Sequence, residues 1–162
     1  MEIIPVIDLK AGEVVHARRG ERDSYRPVQS QLCSGSAPVE VVAGLCAVHP
    51  FATLYIADLD AIQGRGDNGA SIRQIRHRFP ALRLWVDNGL AEAETCRSWL
   101  AQGLGTLVLG SEAQRDHAIL QDLSETTRAA ISSSPSTTRT TASSARRTCW
   151  QRRRSGRSAS SS

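Results

Sequence analysis

Four short apolar runs constrain this chain more than any other feature: IIPVIDL (3–9), TLYIADL (53–59), LRLWVD (82–87) and TLVLG (106–110). Each is too short for a lone helix and too continuously apolar for a strand with one wet face, which predicts buried strands of a parallel sheet. Segments 37–49, 69–79, 91–103 and 114–130 between and after them have helical character. Ile72, Ile75 and Phe79 fall at i, i+3 and i+7, and Ala93, Cys96, Trp99 and Leu100 form a similar stripe. Asn68 is placed to cap the second of these helices, and Glu92 and Glu94 suit the positive end of the third. Strand, loop and helix repeated four times predict an α/β fold of right-handed βα units around a parallel sheet.

The periodicity stops after Ile131. Residues 132–162 hold 11 Ser, 5 Thr and 7 Arg and no Asp or Glu. This tail therefore carries +7 of a net charge of +4, leaving −3 for the rest. The alkaline pI of 9.2 thus belongs to the tail and gives no warrant for a nucleic-acid surface on the folded part. So few aliphatic residues cannot offset the entropy of ordering, so the tail is expected to be disordered. Out-of-frame translation of GC-rich coding sequence would give the same composition, and the chain has a single lysine, Lys10.

Cys33, Cys46, Cys96 and Cys149 show neither CxxC spacing nor a nearby histidine pattern. Reduced thiols are expected, with no zinc site or disulfide framework. Met1 leads directly into EIIPVIDLK, and no apolar run approaches the roughly 18 residues of a membrane span. The expectation is a cytoplasmic protein without membrane or nucleic-acid partners. His49, His77 and His117 fall in or beside helices and suit surface or packing roles, whereas His16 lies in the first loop. Trp85 reads as core and Trp99 as helix-to-sheet packing.

The chemistry-bearing residues cluster at the ends of the apolar runs. After the second comes Gly64-x-Gly66-x-x-Gly69, with Asp87 some 20 residues downstream, which are the letters of a dinucleotide loop. In that loop the first glycine turns directly out of the strand, whereas here Asp58, Leu59, Asp60, Ala61, Ile62 and Gln63 intervene. Two carboxylates there, with Asp67 beyond, would repel a pyrophosphate. The nicotinamide-dependent oxidoreductase reading is therefore the weaker one. The alternative takes Asp8, Asp58 and Asp87 as equivalent carboxylates at strand C-termini, pointing into one site as in a parallel barrel. Carboxylates so placed suit general acid or base work. Gly89, and Gly110 with Ser111, then let backbone amides approach a phosphate after the third and fourth strands.

The stretches IPVIDLKAGEVVHARRG and LYIADLDAIQGRGDN resemble the histidine-biosynthesis (βα)8 barrel family, in its phosphoribosylformimino-aminoimidazole carboxamide ribotide isomerase branch. The resemblance covers residues 1 to about 125, roughly half of a family barrel of about 250 residues. It implies an Amadori-type aldose–ketose isomerisation of a bisphosphorylated ribotide, without metal or cofactor. Asp8 matches the acid/base carboxylate of the first strand. Asp58, Asp60, Arg19, Asn88 and Gly89 are then expected to contact substrate, and Gly89, Gly110 and Ser111 its phosphate. A second aspartate on the fifth strand would complete the acid/base pair, and a second phosphate site would follow the seventh and eighth strands. The chain departs from the pattern at His16, where arginine is common, and at Val86-Asp87-Asn88-Gly89, which keeps only one glycine of a phosphate loop. A related protein of tetrahydromethanopterin biosynthesis is a further alternative, as is a non-catalytic half-barrel that binds phosphate. The expected organisation is half a barrel over 1–131, inactive alone and prone to self-association through its open sheet edges, and a tail over 132–162.

Overall fold

A computed structural model of the chain describes residues 2–17, 24–110, 121 and 123. The sheet is built from β1 (Val6–Lys10), β2 (Glu13–His16), β3 (Arg26–Pro27), β4 (Thr53–Asp58), β5 (Arg83–Asp87) and β6 (Thr106–Val108). The helices are α1 (Pro38–Val48), α2 (Leu59–Ile62), α3 (Gly69–Arg78) and α4 (Ala93–Ala101). Strand order is β3-β2-β1-β4-β5-β6. β1, β4, β5 and β6 are the four expected strands, and they pair in parallel.

Two elements depart from the expected alternation. EVVH forms β2, which returns antiparallel along the outer edge of β1, with Asp8 opposite Val15. A two-residue turn, Ala11-Gly12, makes this hairpin, both residues having positive φ (52° and 80°), as a primed hairpin turn requires. The sheet is therefore mostly, not wholly, parallel. The second departure is α2, one helical turn inserted between β4 and the glycine loop, with Asp58 accepting from Ala61 N at 3.2 Å as its cap.

The longer helices follow their sequence signals. Pro38 sits in the first turn of α1, where its missing N–H costs nothing. α1 ends at His49, held extended (φ −156°, ψ 141°) because Pro50 follows it. Its Gly44 packs on the Leu32 carbonyl with no room for a Cβ. α3 presents Ile72 and Ile75 to the sheet, and α4 presents Cys96 and Trp99. Of the segment 114–130, Gln121 and Leu123 are described, and both are helical. The tail lies outside the described residues.

Alternate strand residues divide the sheet into two unlike faces. Ile7, Leu9, Leu54, Ile56, Leu84 and Val86 point toward the helices and form one core with Val41, Val42, Ile72, Ile75 and Trp99. The opposite face carries Val6, Asp8, Tyr55, Ala57, Trp85 and Asp87. It is not sealed: Val6 is 61% and Trp85 37% exposed. Trp85 is thus not the core residue its apolar run suggests, whereas Trp99 does pack helix against sheet. No described helix is long and apolar enough to cross a membrane.

Candidate active site at the strand C-termini

The parallel register decides which residues share the open face. Val6, Tyr55, Trp85 and Thr106 align as one row across β1, β4, β5 and β6. Asp8, Ala57, Asp87 and Val108 align as the next, at or within two residues of the C-terminal ends of the strands. Asp8 and Asp87 thus stand two strands apart, about 10 Å between Cα atoms at ordinary strand spacing. This row is the mouth of the sheet and holds two of the three carboxylates expected there.

Asp87 is oriented from two sides. Tyr55, one row below on the neighbouring strand, donates its hydroxyl to Oδ2 at 3.0 Å, and Gly89 N donates to Oδ1 at 3.2 Å. A carboxylate so engaged faces any ligand with its remaining lone pairs. Asn88 is buried, its Oδ1 accepting weakly from Leu90 N at 3.4 Å. Gly89 has φ +69°, and a Cβ there would lie 3.0 Å from Ile62 Cα, so α2 packs directly on this loop. Asp8 is half-buried and lines a cavity of about 380 Å³ on the outer side of β1, with His16 and the aliphatic residues Val6, Val15, Val41 and Leu45.

Asp58 does not join the row. It pairs with Leu9, not Asp8, and therefore points with Leu54 and Ile56 toward the helix layer, where it is 2% exposed. There Asn68 N donates to its Oδ2 at 2.8 Å and Asn68 Nδ2 to its Oδ1 at 2.7 Å. Asp60 is likewise taken up, its Oδ2 accepting from Ala11 N at 2.6 Å and Asn68 Nδ2 at 2.9 Å. Gly12 N completes the set, donating to Asn68 Oδ1 at 2.8 Å. Asn68 precedes α3 but its side chain does not cap it; it ties the β4–α3 connection to the hairpin turn. Asp58 and Asp60 thus accept hydrogen bonds from the β4–α3 connection and the hairpin turn, and Asp58 stands outside the Asp8–Asp87 row.

The same network answers the glycine loop. α2 separates Gly64 and Gly66 from β4, and the carboxylates beside that strand end already accept backbone amides. The direct strand-to-glycine turn of a dinucleotide loop is not formed. Gly110 follows β6 two residues after Val108; Arg19 and Ser111 lie outside the described residues. No group of three His, Cys, Asp or Glu side chains among the described residues could hold a metal. Cys33, Cys46 and Cys96 are free, and burial pushes the Cys46 and Cys96 thiols up from their ordinary value of 9.0. Tyr55 and Asn68 carry no site signal of their own in the sequence. The trace of Tyr55 is its alternation with Ala57, which puts it on the face of Trp85 and Asp87.

A mostly parallel βα sheet with two carboxylates on one face near its strand C-termini is the arrangement on which parallel (βα) barrels build their sites. The chain belongs to the histidine biosynthesis protein family, whose pattern it matches over residues 2–140. Among individual relatives, a phosphoribosyl imidazole-4-carboxamide isomerase of Thioalkalivibrio sulfidiphilus is 33% identical over 124 residues, 76% of this chain and 48% of that protein. The corresponding isomerase of Alkalilimnicola ehrlichii is 32% identical over 116 residues, 71% of this chain and 44% of that protein. An uncharacterized protein of Methanocaldococcus jannaschii is 48% identical over 75 residues, 46% of this chain and 33% of that protein. The chain spans about half the length of the isomerases it matches.

Proposed function

We propose that this chain supplies the Asp8-bearing half of a sugar-phosphate isomerase of histidine-biosynthesis type, acting on a phosphoribosyl aminoimidazole carboxamide ribotide. The observation that carries this reading is the row Asp8–Ala57–Asp87–Val108 at the strand C-termini of a family member. In an Amadori-type isomerisation the opened aminoaldose presents an iminium at C1. A carboxylate removes the C2 proton, the C–H electron pair forms the C1–C2 double bond, and the iminium nitrogen receives the displaced pair. Tautomerisation of the enaminol leaves a carbonyl at C2 and an amine-bearing methylene at C1, with no net oxidation. Asp8 is the group assigned to that proton transfer. Asn88, Gly89 and Gly110, in the loops after β5 and β6, are assigned to one substrate phosphate. The acid that opens the ribose ring falls, by the family pattern, on a strand beyond these four.

Turnover of the ribotide tests the reading. Asp8→Asn is expected to abolish whatever turnover the chain shows, alone or completed by a separately expressed C-terminal half of a family isomerase. Undiminished turnover in that variant would refute the role of Asp8.

A second reading keeps the fold and the row but changes the substrate, toward a sugar phosphate of tetrahydromethanopterin-type biosynthesis. It is favoured by Asp87 at the mouth, where a phosphate loop would sit. Binding of simple phosphorylated sugars without turnover of the ribotide would select it. In either reading the exposed Val6–Trp85 face is expected to be covered by further strands, from a second copy or from a complementary half.

A further inference from the structure

Resting on the reading of Asp8 above, we propose that Asn68 is a positioning residue for the sugar-phosphate site, acting through the Ala11–Gly12 turn to hold β2 in register beside Asp8. Ala11 is the non-glycine residue with positive φ (52°) among the described residues. An L-residue with a Cβ resists that conformation, so something outside the turn must hold it. The holding groups lie 49 and 56 residues away. Asp60 Oδ2 accepts from Ala11 N at 2.6 Å, and Asn68 Oδ1 accepts from Gly12 N at 2.8 Å.

Only an amide side chain fits between these partners. Asn68 must accept from Gly12 while donating to both Asp58 and Asp60, which it does through Nδ2 at 2.7 and 2.9 Å. A carboxylate would supply the acceptor but set a third anion against two others; an aliphatic residue would supply neither function. Asn68 is 4% exposed and Asp58 2%, so water cannot readily replace the bonds between those two residues, whereas Ala11 and Gly12 are themselves exposed. The hairpin so held sets Val15 opposite Asp8 and starts the segment that reaches His16 on the wall of the Asp8 cavity. A slip of β2 by one residue would exchange the faces of Val14, Val15 and His16 and rebuild that wall.

Two measurements on the full chain test this. Amide hydrogen exchange should show Ala11 and Gly12 exchanging at least about tenfold faster in Asn68→Ala, with Ile56 and Val86 in the central strands unchanged. Adding Ala11→Gly, which relieves the turn, should restore part of that protection. Ribose 5-phosphate affinity should fall by about tenfold or more in Asn68→Ala, but not in Ile72→Val, a core truncation in the helix that follows Asn68, chosen as a control for general destabilisation. Retained protection at Ala11 and Gly12 in Asn68→Ala would overturn the proposal. So would an affinity loss no larger than that of Ile72→Val. If the unaltered chain binds no ribose 5-phosphate, the proposed function fails instead, and the exchange comparison still decides whether Asn68 holds the turn.

Discussion

Gly89 shows how closely a single residue can be specified here. Its φ of +69° and the approach of Ile62 Cα to within 3.0 Å of a would-be Cβ both exclude a side chain. Gly89→Ala is expected to destabilise the chain by about 1–2 kcal/mol from backbone conformation alone, read as a lowered urea midpoint. Tyr55→Phe should cost less, about 0.5–1.5 kcal/mol for one hydrogen bond, while releasing Asp87 Oδ2. Burial sets the cysteine chemistry. Cys96 is 0% exposed, and its thiol is held neutral above the usual pH. Because its folded-state value is raised, the folded chain binds the proton more tightly than the unfolded chain does. The thiol's contribution to stability is complete below the ordinary value of 9.0 and is lost as pH rises above it. A thiol reagent at pH 8 should therefore label Cys33 and leave Cys96 until denaturant is added.

Asp58 marks the boundary of what the letters of a strand can tell at the scale of elements. The run TLYIAD, like VID and WVD, ends in an aspartate, and the ends of β1, β4 and β5 are plain in the apolar runs. What separates them is parity: Asp8 alternates with Val6 and Asp87 with Trp85, but Asp58 alternates with Leu54 and Ile56. Strands this continuously apolar do not reveal which parity the helices cover, because both faces read as core. That ambiguity also makes Trp85 read as core. The hairpin is illegible for another reason: EVVH is only four residues long, and its turn uses Ala-Gly in place of the Asn-Gly that signals a primed turn. The three described long helices, by contrast, keep their expected bounds to within about two residues, since their stripes, Pro38 and Pro50 are local signals. Asp58→Ala removes the α2 cap and strands two donors of Asn68, and is expected to cost about 2–4 kcal/mol by urea unfolding.

The described residues form one layer of helices on a sheet whose second face they leave open. Layers of this kind stay soluble only when both faces are covered, as parallel sheets ordinarily are. Val6, Tyr55 and Trp85 lie in one row on that face, so a covering partner would bury them together. Sedimentation velocity should therefore show association rising with concentration, and Trp85→Lys should return the chain toward the monomer without lowering its helix content. An unchanged monomer over the whole concentration range would remove self-association from consideration.

The strained hairpin turn carries a kinetic consequence. A two-residue turn would ordinarily form within microseconds and template the pairing of its two strands. Here its conformation depends on Asn68, 56 positions further along the chain, so closing that long loop must precede any gain from the turn. Substitutions at Ala11 should accordingly leave the folding rate nearly untouched and act on unfolding, with φ-values close to zero, while truncations at the buried Ile56 and Val86 should slow folding. The most local contact in the sheet becomes one of the last to be made.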